Sequence, residues 1–249
     1  MLASVGTLEE AEQVLRTGAD IIDLKAPAAG ALGALAARDV EAIVQWISGQ
    51  RPVSATIGDL PLIPAAVADA VAAMAATGVD FIKIGFFPGG DPLGVIAALK
   101  DAIVNGARLV AVLFADQNPE LALVAGLATA GFTGVMLDTM DKKKGSLRQV
   151  CPPEALQSFV AEAKAHGLLC GLAGSLREED IAPLLELVPD YLGFRGALCQ
   201  QKQRTNGLDQ KAIQRIRAAI LSPVTAQRPI TTELRPERLP EFAGFEELP

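Results

Sequence analysis

Short apolar runs alternate with helical patterns along almost the whole chain. Leu2–Val5 reads as a first strand, and Thr7 with Glu10 three residues on marks a helix start that runs to Gly18. Asp20–Leu24 follows as a second strand, then a Gly/Ala loop and a helix across Asp39–Ile47. Val53–Ile57 predicts strand three and Pro64 opens the next helix; Phe81–Ile84 predicts strand four, with a helix from Asp91 to Val104. Leu109–Phe114 is the fifth strand, and the helix after Asn118-Pro119 ends at Gly131. Val135–Leu137 is the sixth, and Pro152-Pro153 starts a helix that stops at His166-Gly167. Leu168–Leu172 is the seventh, Ser175 and Glu178 frame another helix, and Tyr191–Phe194 and Asp209–Ile220 complete the series.

Eight strand–helix units in alternation predict parallel strands joined by crossover helices. A doubly wound open sheet shares that periodicity. The count of eight and the even spacing favour an α/β fold of one (β/α)8 TIM barrel over residues 1–222. One unit recurs: Gly18-Ala-Asp-Ile-Ile-Asp-Leu-Lys25 is echoed by Gly78-Val-Asp-Phe-Ile-Lys-Ile-Gly85 and, more faintly, by Gly131-Phe-Thr-Gly-Val-Met-Leu-Asp138. From residue 223 to 249 the composition turns to prolines and glutamates, which predicts an extended tail, disordered or draped over a neighbouring subunit of a homo-oligomer.

Composition narrows the function. Half of the residues are apolar but only 4% aromatic, so Ala, Val, Leu and Ile must fill the core, as in buried parallel sheets. The net charge of −7 leaves Lys142-Lys143-Lys144 as the one basic run, which argues against nucleic acid. The three cysteines (Cys151, Cys170, Cys199) share no metal-ligand spacing and are expected as reduced thiols of a cytoplasmic protein. No apolar run is long enough for a membrane span, and no signal peptide is read at the N-terminus. His166, the only histidine, falls in a helix-terminal turn, so no histidine-based acid–base scheme or zinc site can be built. No Gly-x-Gly-x-x-Gly follows a strand, and no cofactor is expected.

In this fold chemistry sits at the C-terminal ends of the strands. Those ends carry Asp23 and Lys25, Thr56 and Asp59, Lys83, Asp116, Asp138, Ser175 and Arg195. Alternation puts Ile21, Asp23 and Lys25 on one face of strand two, and Phe81 and Lys83 on one face of strand four. If both faces point inward, the lysines converge on the barrel mouth from strands with one neighbour between them. Each lysine could simply be paired with a carboxylate such as Asp23 or Asp138. The sharper reading is a reactive amine: at the ordinary pKa only about one lysine in 2,500 is neutral at pH 7, and burial beside a second ammonium raises that share. Leu172-Ala-Gly174-Ser175 after strand seven and Phe194-Arg195-Gly196-Ala after strand eight fit a phosphate seat, because small residues let backbone N–H groups approach an anion. One lysine of the 142–144 run could also face the substrate.

Several segments together resemble the (5-formylfuran-3-yl)methyl phosphate synthase family. They are Asp23-Leu-Lys-Ala-Pro-Ala-Ala-Gly30 with Leu32-Gly33, Pro52-Val-Ser-Ala-Thr-Ile-Gly-Asp59, Phe81-Ile-Lys-Ile-Gly85, Leu137-Asp-Thr139, Leu172-Ala-Gly-Ser-Leu176 and Gly193-Phe-Arg-Gly-Ala197 with Cys199. The resemblance spans roughly residues 1–220; Ala31 stands where the family pattern has serine. It implies a (β/α)8 carbon–oxygen lyase of methanofuran biosynthesis in one-carbon metabolism. Such an enzyme joins two glyceraldehyde 3-phosphate molecules into 4-(hydroxymethyl)-2-furancarboxaldehyde phosphate, with release of phosphate and water and without a metal. By the same resemblance Lys25 forms the Schiff base, Lys83 is the proton acceptor, Asp23 and Asp138 assist proton transfer, and Gly174, Ser175, Arg195 and Gly196 seat a phosphate. Two other readings stay open: a different Schiff-base phosphosugar aldolase or isomerase, and a non-catalytic barrel subunit.

Overall fold

The computed structural model describes residues 1–222, so the expected tail lies outside the described residues. Eight parallel strands close into a barrel in sequence order, β1 Leu2–Val5, β2 Ile21–Leu24, β3 Val53–Thr56, β4 Phe81–Gly85, β5 Leu109–Phe114, β6 Gly134–Asp138, β7 Leu169–Leu172 and β8 Tyr191–Phe194. Closure runs from β8 to β1 through Leu2 opposite Gly193 and Ala3 opposite Phe194. The helices are α1 Leu8–Arg16, α2 Ala37–Ile47, α3 Pro64–Ala75, α4 Pro92–Ala98, α5 Lys100–Val104, α6 Ala122–Thr129, α7 Leu147–Val150, α8 Pro153–Ala165, α9 Glu178–Leu185 and α10 Gln210–Leu221. The (β/α)8 expectation holds over these residues. The single helix expected from Asp91 to Val104 is two helices that meet at Leu99, and α7 is an addition in the loop after β6.

The strand parity divides the core in two. Val5, Ile22, Leu24, Ala55, Ile82, Ile84, Ala111, Leu113, Val135, Leu137, Cys170 and Leu172 face outward and pack under the helices in one large apolar cluster. The alternate positions Phe81, Val110, Val112, Phe114, Met136 and Ala173 form a separate cluster inside the barrel, with Leu169 and Tyr191 against it. The interior is therefore filled by a few large side chains, and the strands opposite must supply space. Gly171 does so for Tyr191: a Cβ there would stand 2.3 Å from Tyr191 Cζ. All three cysteines are buried; burial pushes the Cys170 thiol up to about 12 and the Cys151 and Cys199 thiols upward too, so none is a ready nucleophile.

Helix starts follow the sequence signals with two informative departures. Thr7 caps α1 by accepting the Glu10 N–H, but the Glu10 carboxylate passes over Thr7 and takes the N–H of Gly6 at 2.7 Å. It is drawn there because it also pairs with the Arg195 guanidinium from the other end of the chain. Ser175 does not cap α9; Arg177 holds that place, and its N–H reaches Asp180. His166 caps the C-terminus of α8 beside Glu162, in line with its expected terminal-turn role.

The interior crowding makes a prediction. Gly171→Ala should cost about 1–3 kcal/mol in urea unfolding, because Tyr191 must shift. Gly126→Ala, inside α6 with open space around it, should gain about 0.5–1 kcal/mol. Equal effects of the two changes would contradict this packing.

Candidate active site

The polar interior at the upper end of the barrel begins with one carboxylate. Asp23 is level with Ser4 on one side and Ser54 on the other, since β1, β2 and β3 pair in that register. Ser4 Oγ donates to Asp23 Oδ2 at 2.7 Å, and Ser54 Oγ donates to Oδ1 at 2.7 Å. Lys83, one step further up beside Thr56, reaches across β3 and donates from Nζ to Asp23 Oδ1 at 2.7 Å. Asp23 is 0% exposed and Lys83 2%. Burial alone would raise the Asp23 carboxyl, but the Lys83 and Lys25 charges and the hydrogen bonds from Lys83 and Ser4 outweigh it and hold it below the ordinary carboxylate range.

Lys25 follows on the same inward face, 7% exposed. Among the described residues its Nζ has no hydrogen-bond or ion-pair partner, since Asp23 is spent on Lys83 and the two serines. Burial lowers its pKa first; Asp23 pulls it back up, Lys83 pushes it down again, and the result is about 8. Roughly a tenth of such an amine is neutral at pH 7. This is a buried, unpaired, partly deprotonated primary amine, the requirement for imine formation with a carbonyl.

A second ion pair flanks it. Asp138 ends β6 and accepts Lys142 Nζ at 2.6 Å and the Thr139 N–H at 2.7 Å. Its carboxyl would be raised by burial, but the charges of Lys142 and Lys25 and these two hydrogen bonds hold it low. The basic run thus resolves: Lys142 turns in to Asp138, Lys143 is exposed, and Lys144 stands 4.0 Å from Asp116. Thr139 Oγ1 is buried, beside Gly174, without a hydrogen-bond partner among the described residues.

Several strand-end groups turn out to pin loops. Asp59 accepts the N–H groups of Ala31 and Leu32 at 2.7 and 2.6 Å, fixing the loop after β2. Asp116 does the same for Met140 and Asp141 after β6, and Thr56 donates to the Gly33 carbonyl at 3.0 Å. Leu32 and Phe87 close over the end of β4: a Cβ on Gly85 would lie 2.9 Å from Leu32 and 2.4 Å from Phe87.

Of the four expected phosphate residues, Gly174 (φ 114°) and Ser175 (φ 46°) lie after β7, with the Ser175 hydroxyl donating to the Lys142 carbonyl at 3.3 Å. Gly196 opens a 3-10 turn after β8. Arg195 is largely buried, and its guanidinium is fully engaged: Nε on the Arg204 carbonyl, Nη1 on Ser4 O and Glu10, Nη2 on Glu10 and Asn206 O. The four expected catalytic residues come together; Lys142 joins them from the 142–144 run, and Ser4, Ser54 and Thr139 join them as well. The serines could have been found from inward parity alone. Lys142 could not be told from its two neighbours.

Fold and site together describe a TIM barrel with a lysine poised at its C-terminal mouth. The 4-HFC-P synthase family model matches residues 1–217, and the chain belongs to that family. The (5-formylfuran-3-yl)methyl phosphate synthase of Methanocaldococcus jannaschii is 35% identical over 230 residues, 87% of this chain and 97% of that protein. A Methylorubrum extorquens protein provisionally given the same name is 45% identical over 210 residues, 84% of this chain and 86% of its own length. Among solved structures, the 3-hexulose-6-phosphate synthase of Salmonella typhimurium superposes with a TM-score of 0.64 at 16% identity, over 88% of this chain and 97% of that one, a likeness of fold. Among the described residues no helix is long and apolar enough to cross a membrane, and no group of three His, Cys, Asp or Glu is placed to hold a metal ion.

The buried amine carries a stability cost that can be read out. Its folded pKa of about 8 lies below the ordinary 10.5, so the penalty is full below pH 8 and fades as pH rises through 10.5. Lys25→Met should therefore stabilise the protein by about 1–3 kcal/mol at pH 7 in urea unfolding, with the gain largely gone near pH 11. A destabilised variant at pH 7 would show that Lys25 is held by a partner.

Proposed function

We propose that this chain condenses two molecules of glyceraldehyde 3-phosphate into (5-formylfuran-3-yl)methyl phosphate through a Schiff base on Lys25, as a carbon–oxygen lyase of methanofuran-type cofactor biosynthesis. The observation that carries the proposal is the unpaired Lys25 amine, its pKa about 8, between two lysine–carboxylate pairs. Membership of the 4-HFC-P synthase family supports the choice of substrate and product.

Lys25 adds to one triose phosphate carbonyl and water leaves, giving an iminium that serves as the electron sink. Removal of the neighbouring carbon's proton gives an enamine, and the chain bonds that fragment to the carbonyl of the second molecule. One inorganic phosphate and two waters depart as the furan ring closes, and hydrolysis of the imine returns Lys25. The balance holds: two triose phosphates equal the furan phosphate plus one phosphate and two waters.

Lys83–Asp23 and Lys142–Asp138 are the proton-handling pairs. Lys83 is the proton acceptor of its pair, and Asp23 orients it through the 2.7 Å hydrogen bond. Asp138 and Lys142 serve the opposite side of the mouth in the same way.

Incubation with glyceraldehyde 3-phosphate alone should yield a furan aldehyde and inorganic phosphate in equal amounts, and borohydride should fix a substrate adduct on the peptide holding Lys25. An adduct without furan or phosphate would point to a phosphosugar aldolase. Absence of any adduct on Lys25 would sink the assignment in favour of a non-catalytic barrel. Lys83→Ala should keep a native circular dichroism spectrum and lose turnover by about 100-fold or more; near-normal turnover would reduce Lys83 to a structural partner of Asp23.

A further inference from the structure

At the mouth most fixed cations are already neutralised. Lys83 is spent on Asp23, Lys142 on Asp138 and Arg195 on Glu10. Two others that are not exposed remain without a carboxylate within 4 Å among the described residues, whereas Lys143 and Lys202 are exposed. One is Lys25. The other is Arg204, which carries a single hydrogen bond, from Nη2 to the Gly30 carbonyl at 2.9 Å.

The placement of Arg204 is built. Residues 199–208 double back on themselves, with Cys199 and Leu208 forming an antiparallel bridge and the Gln200 N–H donating to Gly207 O at 2.9 Å. The Arg195 guanidinium staples this loop from beneath, donating to the Arg204 carbonyl at 2.8 Å and the Asn206 carbonyl at 3.0 Å. Arg204 then spans from the β8 loop to the β2 loop, whose Gly30 end is fixed by Asp59. Its guanidinium is half-buried and lies on the loop after β2 at the C-terminal end of the barrel, where it feels the charges of Asp138 and Asp59. Gly196 lies close, its missing side chain facing Arg204 Cβ at 4.0 Å.

We propose that Arg204 grips the phosphate of the substrate whose carbonyl condenses with Lys25, and that Arg195 is the positioning residue that presents it. The division is chemical: the amine takes the carbonyl end and the guanidinium fork takes a phosphate dianion, which it matches with two parallel N–H donors. Arg195 cannot do this itself, because all five of its N–H donors are used. The site therefore selects a short phosphorylated carbonyl compound. The inference rests on the Schiff-base reading of Lys25, and the test separates the two.

The test compares borohydride trapping with glyceraldehyde 3-phosphate and with unphosphorylated glyceraldehyde in wild type, Arg204→Gln and Arg204→Lys. Wild type should prefer the phosphorylated aldehyde. Arg204→Gln should shrink that preference about 10- to 100-fold, as expected for losing a charge-assisted pair, and Arg204→Lys should fall between. An unchanged preference in Arg204→Gln overturns the proposal, as does a parallel loss with both aldehydes, which would mark a merely structural role. Calorimetric titration with glycerol 3-phosphate, which has no carbonyl, provides a readout independent of Lys25. Weakened binding in Arg204→Gln supports the phosphate grip even if no adduct forms, and equal binding in both proteins overturns it even if trapping succeeds.

Discussion

The site depends on the carboxylate of Asp23. It is wholly buried, and it receives hydrogen bonds from Ser4, Ser54 and Lys83, so that one side chain ties β1, β2, β3 and β4 together. An isolated carboxylate there would be costly, and so would an isolated Lys83 ammonium; each makes the other tolerable, and removing either partner of such a pair typically costs about 3–5 kcal/mol. The pairing has a further effect. By occupying Asp23, Lys83 denies Lys25 its nearest counter-ion and adds a like charge beside it. A barrel with one buried lysine on Asp23 would hold a stable ammonium. With two, the second must remain unpaired and titrate low.

The same economy of charge recurs around the rim. Lys142 takes Asp138, and Arg195 takes Glu10, whose carboxylate also holds the Gly6 N–H ahead of α1. These pairs order the loops after β6, β8 and β1. Exposed Asp59 and half-buried Asp116 each anchor two backbone N–H groups of a neighbouring loop. Electrostatic attraction for an anionic carbonyl compound is thereby concentrated on the groups left over, in a chain whose overall charge is −7.

Much of this was legible in the sequence because it is governed by local rules. Period-two alternation sorts Asp23, Lys25 and Lys83 inward and Ile22, Leu24, Ile82 and Ile84 outward, and the two separate core clusters follow that sorting residue by residue. The pairing choices were not legible, because they depend on register and on distant partners. Whether Asp23 would serve Lys25 or Lys83 is decided by Lys83 lying one step up on β4 and reaching back over β3. Arg195 read as a phosphate ligand from its place after β8, yet its partner Glu10 stands 185 residues away. Arg204 sits in a loop with no periodicity at all, and only the fold brings it to Gly30.

The central claim is that Lys25, buried and left unpaired while Asp23 is committed to Lys83, is a low-pKa amine at pH 7. Nuclear magnetic resonance titration of the side-chain nitrogens in 15N-lysine protein, with the Lys25 signal assigned by Lys25→Met, measures this directly. The account predicts a Lys25 midpoint near 8 in wild type. In Lys83→Met the midpoint should rise, as Asp23 is released to pair with Lys25. A wild-type midpoint at the ordinary lysine value near 10.5, unmoved by Lys83→Met, would contradict it.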